Sequence, residues 1–246
     1  MDTGEGKLRM LREIGLSASM LCADPGDLEG DIRQINEARV SLMHTDIMDG
    51  HFVPNMTGGL DVADCIRSLA AAPCDFHLMV EDPADLIDDL QLRPGERLAF
   101  HIENDVDTEA CIRRIQSSGA LAGLAVNPGT PVSRVEPFMD KLDFLLVLIV
   151  NPGFKGQPVI PRTLEKLRLL RKLRDSRGLS LRFLVDGAVT PENLIEIVEA
   201  GADDIVCGPY TCFNKALGGI GPTLGLVKSI LREHGYSTIE TGGAAL

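Results

Sequence analysis

The 246-residue sequence has no tryptophan, two tyrosines and eight phenylalanines, so its core is expected to be aliphatic. Its longest uninterrupted apolar run, Phe144 to Val150, is only seven residues. That is far short of the roughly 20 residues a membrane-spanning helix needs, and no membrane partner is expected. Basic residues are outnumbered, 24 Lys plus Arg against 36 Asp plus Glu, for a net charge of −12 with no cationic block. Such a chain lacks the electrostatic footprint for a polyphosphate backbone, so no nucleic-acid partner is expected either. The six cysteines show no CxxC pair and no short framework spacing, and read as reduced core thiols. Residues 1–14 contain no apolar run resembling a signal peptide, which points to the cytoplasm.

What is present is a hydrophobic fraction of 44%, enough for one full core, and 25 glycines and 14 prolines that imply many tight turns. Short apolar runs alternate with segments of helical period. Strands are predicted near 16–22, 41–47, 74–79, 97–102, 121–126, 142–150, 181–186 and 203–207. Helices are predicted near 26–38, 60–70, 84–91, 107–118, 131–138, 160–175, 191–200 and 222–234. Asp107 or Thr108 is a candidate cap for the fourth helix, and Pro191 is expected at the first helical position of the seventh. Eight units of about 31 residues match the size of a βαβ repeat. The expected fold is therefore α/β, a single (β/α)8 TIM barrel with a parallel eight-stranded sheet over 15–236. Residues 1–14 and 237–246 are expected to be mobile ends. A doubly wound sheet would need a GxGxxG fingerprint after its first strand, and none is there.

Barrel chemistry belongs at the carboxyl ends of the strands. The second strand ends His44-Thr-Asp46-Ile-Met48-Asp49-Gly50, where alternation puts His44 and Asp46 on one face. The third ends in His77-Leu-Met79, the fourth in His101-Ile-Glu103 and the seventh in Asp186-Gly187. A buried strand has no solvent face on which to hide such residues. His44, Asp46, His77 and Asp186 are therefore candidates to hold one divalent ion, with donors that suit Zn, Fe, Mn or Co rather than Ca. His51 and His234 read as surface residues, and His101 is left undecided, since a residue there can border the site without binding metal. With a Lewis acid bound to a carbonyl and its neighbouring hydroxyl, Asp46 and Asp186 on opposite faces are a candidate acid/base pair, one abstracting and one returning a proton at carbon. Gly-rich turns after the sixth to eighth strands, with Gly153, Gly156, Gly187, Ala188 and Gly208, are candidate phosphate cradles.

The strings His44-Thr-Asp46-Ile-Met48-Asp49-Gly50-His51-Phe52-Val53-Pro54-Asn55, His77-Leu-Met79, Val150-Asn-Pro-Gly153-Phe154 with Gly156-Gln157, and Val185-Asp186-Gly187 resemble the ribulose-phosphate 3-epimerase family from about Ser19 to Asn214. The resemblance implies a metal-dependent isomerase that inverts C3 of a phosphorylated ketose through an enediolate, and a homo-oligomer. It assigns His44, Asp46, His77 and Asp186 to the metal, Asp46 and Asp186 to acid/base work, and Ser19, Met48 and Met79 to substrate contact. Ser19-Met-Leu-Cys22 and Gly156-Gln-Pro-Val-Ile-Pro161 are also similar to the D-allulose-6-phosphate 3-epimerase branch. Three positions depart from the family's pattern: Leu148 stands where a third Met is usual, Ala188 where a second Gly is usual, and Pro209 where a Ser or Thr supplies an N–H. These departures keep two alternatives open, a ketose 3-epimerase with an altered phosphate site and a non-catalytic metal-binding barrel.

Overall fold

The computed structural model describes residues 12–241. Eight parallel strands run β1 (Arg12–Ser19), β2 (Leu42–Met48), β3 (Cys74–Met79), β4 (Arg97–His101), β5 (Leu121–Val126), β6 (Phe144–Leu148), β7 (Arg182–Asp186) and β8 (Asp204–Cys207). Strand β1 pairs with both β2 and β8, which closes the sheet into a (β/α)8 barrel. The outer ring holds α1 (Leu28–Glu37), α2 (Gly59–Leu69), α3 (Pro83–Asp89), α4 (Thr108–Ser117), α5 (Arg162–Arg177), α6 (Leu194–Ala200) and α7 (Ile220–Glu233). Among the described residues no helix is long and apolar enough to cross a membrane.

Several predicted boundaries shift for local reasons. The segment 131–138 is two 3-10 turns, Val132–Arg134 and Glu136–Phe138, because Pro131 and Pro137 withhold the donors a continuous α-helix needs. Pro191 is not the first residue of a helix. A turn closed by reciprocal bonds between Thr190 and Asn193 (2.8 and 3.4 Å) precedes α6, which starts at Leu194. Asp107 does cap α4, its side chain accepting from the Ala110 N–H. A short ninth strand, β9 (Tyr236–Thr238), pairs with Arg12–Ile14. Residues 12–14 and 236–238, placed by sequence in or beside the mobile ends, are thus strand, while 1–11 and 242–246 lie outside the described residues. All six cysteines are unpaired, but Cys65 is exposed and Cys22 half-buried, so only the other four are core thiols.

Strand alternation builds two cores. Outward residues such as Leu16, Phe76, Phe100, Val147, Phe183 and Ile205 pack under the helices. Inward residues Ala99, Ala125, Phe144, Leu146, Leu148, Leu184 and Val206 fill the barrel on its β4–β8 side. The β1–β3 side of the same interior is polar, with Ser17, His44 and Asp75 fully buried.

The amino end of the barrel is closed by charge. Asp204 accepts from Arg97 Nη1 (2.9 Å) and from Arg182 Nε and Nη2 (2.9 and 2.7 Å), and the Arg97 guanidinium lies 5.4 Å above the Phe144 ring. Gly15 leaves the space this needs, since a Cβ there would meet Asp204 Oδ1 at 1.9 Å. Burial raises the Asp204 carboxyl, but the two guanidinium groups outweigh it and hold the group below the ordinary carboxylate value. Its contribution to stability is therefore complete above the unfolded pKa of about 4 and is lost as pH falls through the lower native value. Asp204→Asn leaves two arginines short of their counter-ion and should cost about 3–5 kcal/mol near neutral pH. The gap from wild type should narrow on acidification, which denaturant unfolding at several pH values will measure.

Candidate active site

The carboxyl ends of the strands open into a pocket lined by Ser19, Leu21, Cys22, Asp46, Met48, Met79, Leu148 and Asp186. Its rim consists of the loops 150–157, 187–189 and 208–209. Every residue the sequence proposed for substrate contact, namely Ser19, Met48, Met79, Gly153, Gly156, Gly187, Ala188 and Gly208, lies on this lining. His44 and His77 lie beneath it, fully buried. Parallel register explains the grouping: His44 is level with Asp75, Asp46 with His77, and Met48 with Met79. Each inward face of β2 and β3 thus stacks polar groups below a methionine at the pocket floor.

One ligand atom from each of His44, Asp46, His77 and Asp186 falls within 4.8 Å of the others. His44 Nδ1 is fixed 2.9 Å from Asp75 Oδ2, which also accepts from Ser17 Oγ at 3.2 Å. His44 Nε2 is thereby turned to the pocket, 3.4 Å from Asp46 Oδ1 but without hydrogen-bond geometry, a buried ring nitrogen with no partner. His77 Nδ1 lies 3.1 Å from Asp46 Oδ1. Two imidazole nitrogens and two carboxylates around one point, one of those nitrogens unsatisfied, fit a divalent first-row ion better than any arrangement of protein hydrogen bonds.

The two carboxyl groups are pushed in opposite directions. Burial raises Asp46, but His44 and His77 outweigh it and leave the group well below the ordinary carboxylate value. Asp186 stays raised, because burial, with Asp46 and Asp75 nearby, outweighs His44 and His77. Burial also pushes the Cys22 thiol up to about 11, so near neutral pH it is an uncharged wall of the pocket. Lys155 is the single cation among the lining residues.

The loop after β2 is shaped by Asp49, whose Oδ1 accepts from the His51 and Phe52 N–H groups and whose Oδ2 accepts from Glu81 N–H. Asn55 Nδ2 reaches across the mouth to Gly153 O at 2.6 Å. Gly153 and Gly187 have φ of +107° and +109°, and a Cβ on Gly187 would meet Val150 Cγ2 at 2.4 Å. Ala188 follows at φ +46°, a left-handed position that costs a residue with a Cβ about 1–2 kcal/mol. His51 and His234 are exposed, as expected. Sequence reading did not find Asp75, although its i−2 spacing from His77 on one strand was the available signal. It also missed Leu21 and Cys22, which enter the pocket on a 3-10 turn, Met20–Cys22, that follows β1.

Closed barrel and strand-end His/Asp cluster together define a TIM barrel with a candidate metal site. The profile of the family described as "Ribulose-phosphate 3 epimerase family" matches residues 15–212, and the chain belongs to that family. The ribulose-phosphate 3-epimerase of Treponema pallidum is 40% identical over 199 residues, 81% of this chain and 91% of that protein. The Escherichia coli K12 protein of the same name is 39% identical over 199 residues, 80% of this chain and 88% of that one. Among solved structures, a mutant tryptophan synthase alpha-subunit from Pyrococcus furiosus superposes with a TM-score of 0.59 at 12% identity, over 89% of this chain and 96% of that one. A thiamine phosphate pyrophosphorylase from the same organism gives 0.56 at 15%, over 89% and 97%. These last two share the fold.

A cation held by this cluster should stabilise the fold by about 2.7 kcal/mol at a hundred times its dissociation constant. The increment should vanish in Asp46→Ala and His77→Ala. It should also shrink as pH falls, because burial alone would lower the His44 pKa but Asp46 and Asp75 raise it well above the ordinary value, so His44 must release a proton on binding. Thermal melts with Zn, Mn or Co across pH will measure all three effects.

Proposed function

We propose that this chain is a metal-dependent ribulose-phosphate 3-epimerase, interconverting D-ribulose 5-phosphate and D-xylulose 5-phosphate. The observation that carries the proposal is the pair Asp46 and Asp186 beside two imidazoles, with one ligand atom of each of the four within 4.8 Å of the others. A divalent ion held by His44, Asp46, His77 and Asp186 supplies Lewis acidity, which makes a C–H next to a carbonyl acidic. Asp46, kept ionised by His44 and His77, is the base that takes the C3 proton in one direction. Asp186, whose pKa burial raises above the ordinary carboxylate value, is the partner that returns a proton to the opposite face, and the roles exchange in reverse. Met48, Met79 and Leu148 form the apolar floor that excludes water from the planar enediolate, and Ser19 orients the sugar. Gly153, Gly156, Gly187, Ala188 and Gly208 present backbone at the phosphate end with Lys155 as the nearby cation. The relatives named above carry this activity in their names, which supports the same substrate here. The enzyme is proposed to work in the cytoplasm as a homo-oligomer, and exposed Met56 and Phe154 on adjoining loops support the assembly.

A second reading rests on Pro209, which lines the phosphate end without an N–H to donate. One missing charge-assisted hydrogen bond costs about 1.5–3 kcal/mol, or roughly 10- to 150-fold in affinity. A hexulose 6-phosphate or an unphosphorylated ketose is the alternative substrate.

Asp46→Asn and Asp186→Asn should each lower kcat by about 10²- to 10⁴-fold. Exchange of the C3 hydrogen with deuterated water should fall in parallel, and wild-type-like exchange in both variants would sink the acid/base assignment. The ratio of kcat/KM for ribulose 5-phosphate, allulose 6-phosphate and ribulose decides the substrate. Pro209→Ala, which restores an N–H, should lower KM for the phosphorylated substrate by about 10-fold or more with kcat unchanged.

A further inference from the structure

His101 ends β4 fully buried, and both of its ring nitrogens are engaged. Its Nε2 lies 3.0 Å from His77 Nε2, with the two rings 5.1 Å apart at 30°. Its Nδ1 lies 2.9 Å from Glu103 Oε2. The Phe52 ring, 4.4 Å away, covers the imidazole. Neither nitrogen is free to take a cation, so His101 is not a fifth ligand, which answers the question its sequence position left open.

The far end of this chain is a set of donors. Glu103 Oε1 accepts from the Asn127 N–H at 3.1 Å and from the Thr130 hydroxyl. Lys166 Nζ holds the carbonyls of Asn127 and Pro128 (2.7 and 2.9 Å), and Arg134 Nη2 holds that of Ile102 (2.9 Å), so the backbone on both sides is tied down. With its other oxygen occupied by donors, Glu103 is an acceptor toward His101, and His101 Nδ1 carries the hydrogen. The two facing Nε2 atoms can share only one hydrogen. In a neutral His101 the Nε2 is then the acceptor, the hydrogen sits on His77 Nε2, and His77 Nδ1 is left with a lone pair directed to the Asp46 side of the pocket. Each hydrogen bond thus dictates the next. His44 is set the opposite way, with Nδ1 on Asp75 and Nε2 toward the pocket.

We propose that His101 and Glu103 are positioning residues for the cation site: the hydrogen-bond chain Glu103–His101–His77 fixes the His77 tautomer and ring so that Nδ1, not Nε2, is the ligand atom. This rests on the reading of His77 as a ligand given under the proposed function. A partner on the non-ligating nitrogen of a metal-bound histidine is worth 10- to 100-fold in metal affinity as a general rule.

The test uses cobalt as probe on the full chain. Titration of Co(II), followed by its visible absorption, should give a dissociation constant about 10- to 100-fold weaker in His101→Leu and in Glu103→Ala. His101→Gln, whose amide oxygen can accept from His77 Nε2, should recover most of the loss. Melting in the absence of metal checks that each variant folds. Nitrogen-15 NMR of histidine-labelled wild type needs no variant, and should show the His77 hydrogen on Nε2 in the zinc-loaded protein. A His77 hydrogen on Nδ1 in the zinc-loaded protein would overturn the proposal. So would unchanged cobalt affinity in both His101→Leu and Glu103→Ala while His44→Ala loses binding, and that result would leave the ligand set standing. Absence of cobalt binding to wild type would overturn the ligand set, and the positioning role with it.

Discussion

Three carboxyl groups, Asp46, Asp75 and Asp186, lie together inside the β1–β3 and β7 side of the barrel, and the rest of the upper structure follows from that concentration of negative charge in a dry interior. Isolated carboxylates there would be costly by many kcal/mol, so each must find hydrogens, a proton or a cation. Asp75 takes hydrogens from Ser17 and His44. Asp186 is raised above the ordinary carboxylate value by burial, with Asp46 and Asp75 nearby. Asp46 remains charged against His44 and His77. A divalent cation held by His44, Asp46, His77 and Asp186 would offset this concentration of carboxyl groups.

The same arithmetic runs at the other end with signs reversed. Asp204 sits between Arg97 and Arg182 at the amino end, and the apolar layer of Ala99, Leu146, Leu184 and Val206 lies inside the barrel with it. The overall charge of −12 is thus a poor guide to the field a substrate meets. An anion entering the mouth faces Lys155, backbone amides and neutral thiol and thioether surface rather than the acidic exterior.

The fold and the four-residue cluster were legible in the sequence because alternation is a local rule: His44 and Asp46 share a face of a strand otherwise built of buried apolar residues. Ligand partners were not legible, because they depend on register between strands. Nothing in the sequence places Asp75 level with His44, or brings the His101 ring against His77 rather than into the pocket. The misplaced helix starts have a different cause. At Thr190–Asn193 side chains bond to the backbone in place of the helix, and at 131–138 two prolines break the donor ladder.

The two-sided interior described for the barrel has a consequence for how such a protein can diversify. The His/Asp cluster comes from β2, β3 and β7, braced through β1 and β4, whereas the rim of the pocket comes from loops after β6, β7 and β8. Rim residues such as Ala188 and Pro209 can therefore drift without disturbing the buried cluster, and Asp46 and Asp186 are the side chains common to the cluster and the pocket lining. A lineage built this way can change what it recognises long before it changes what it does.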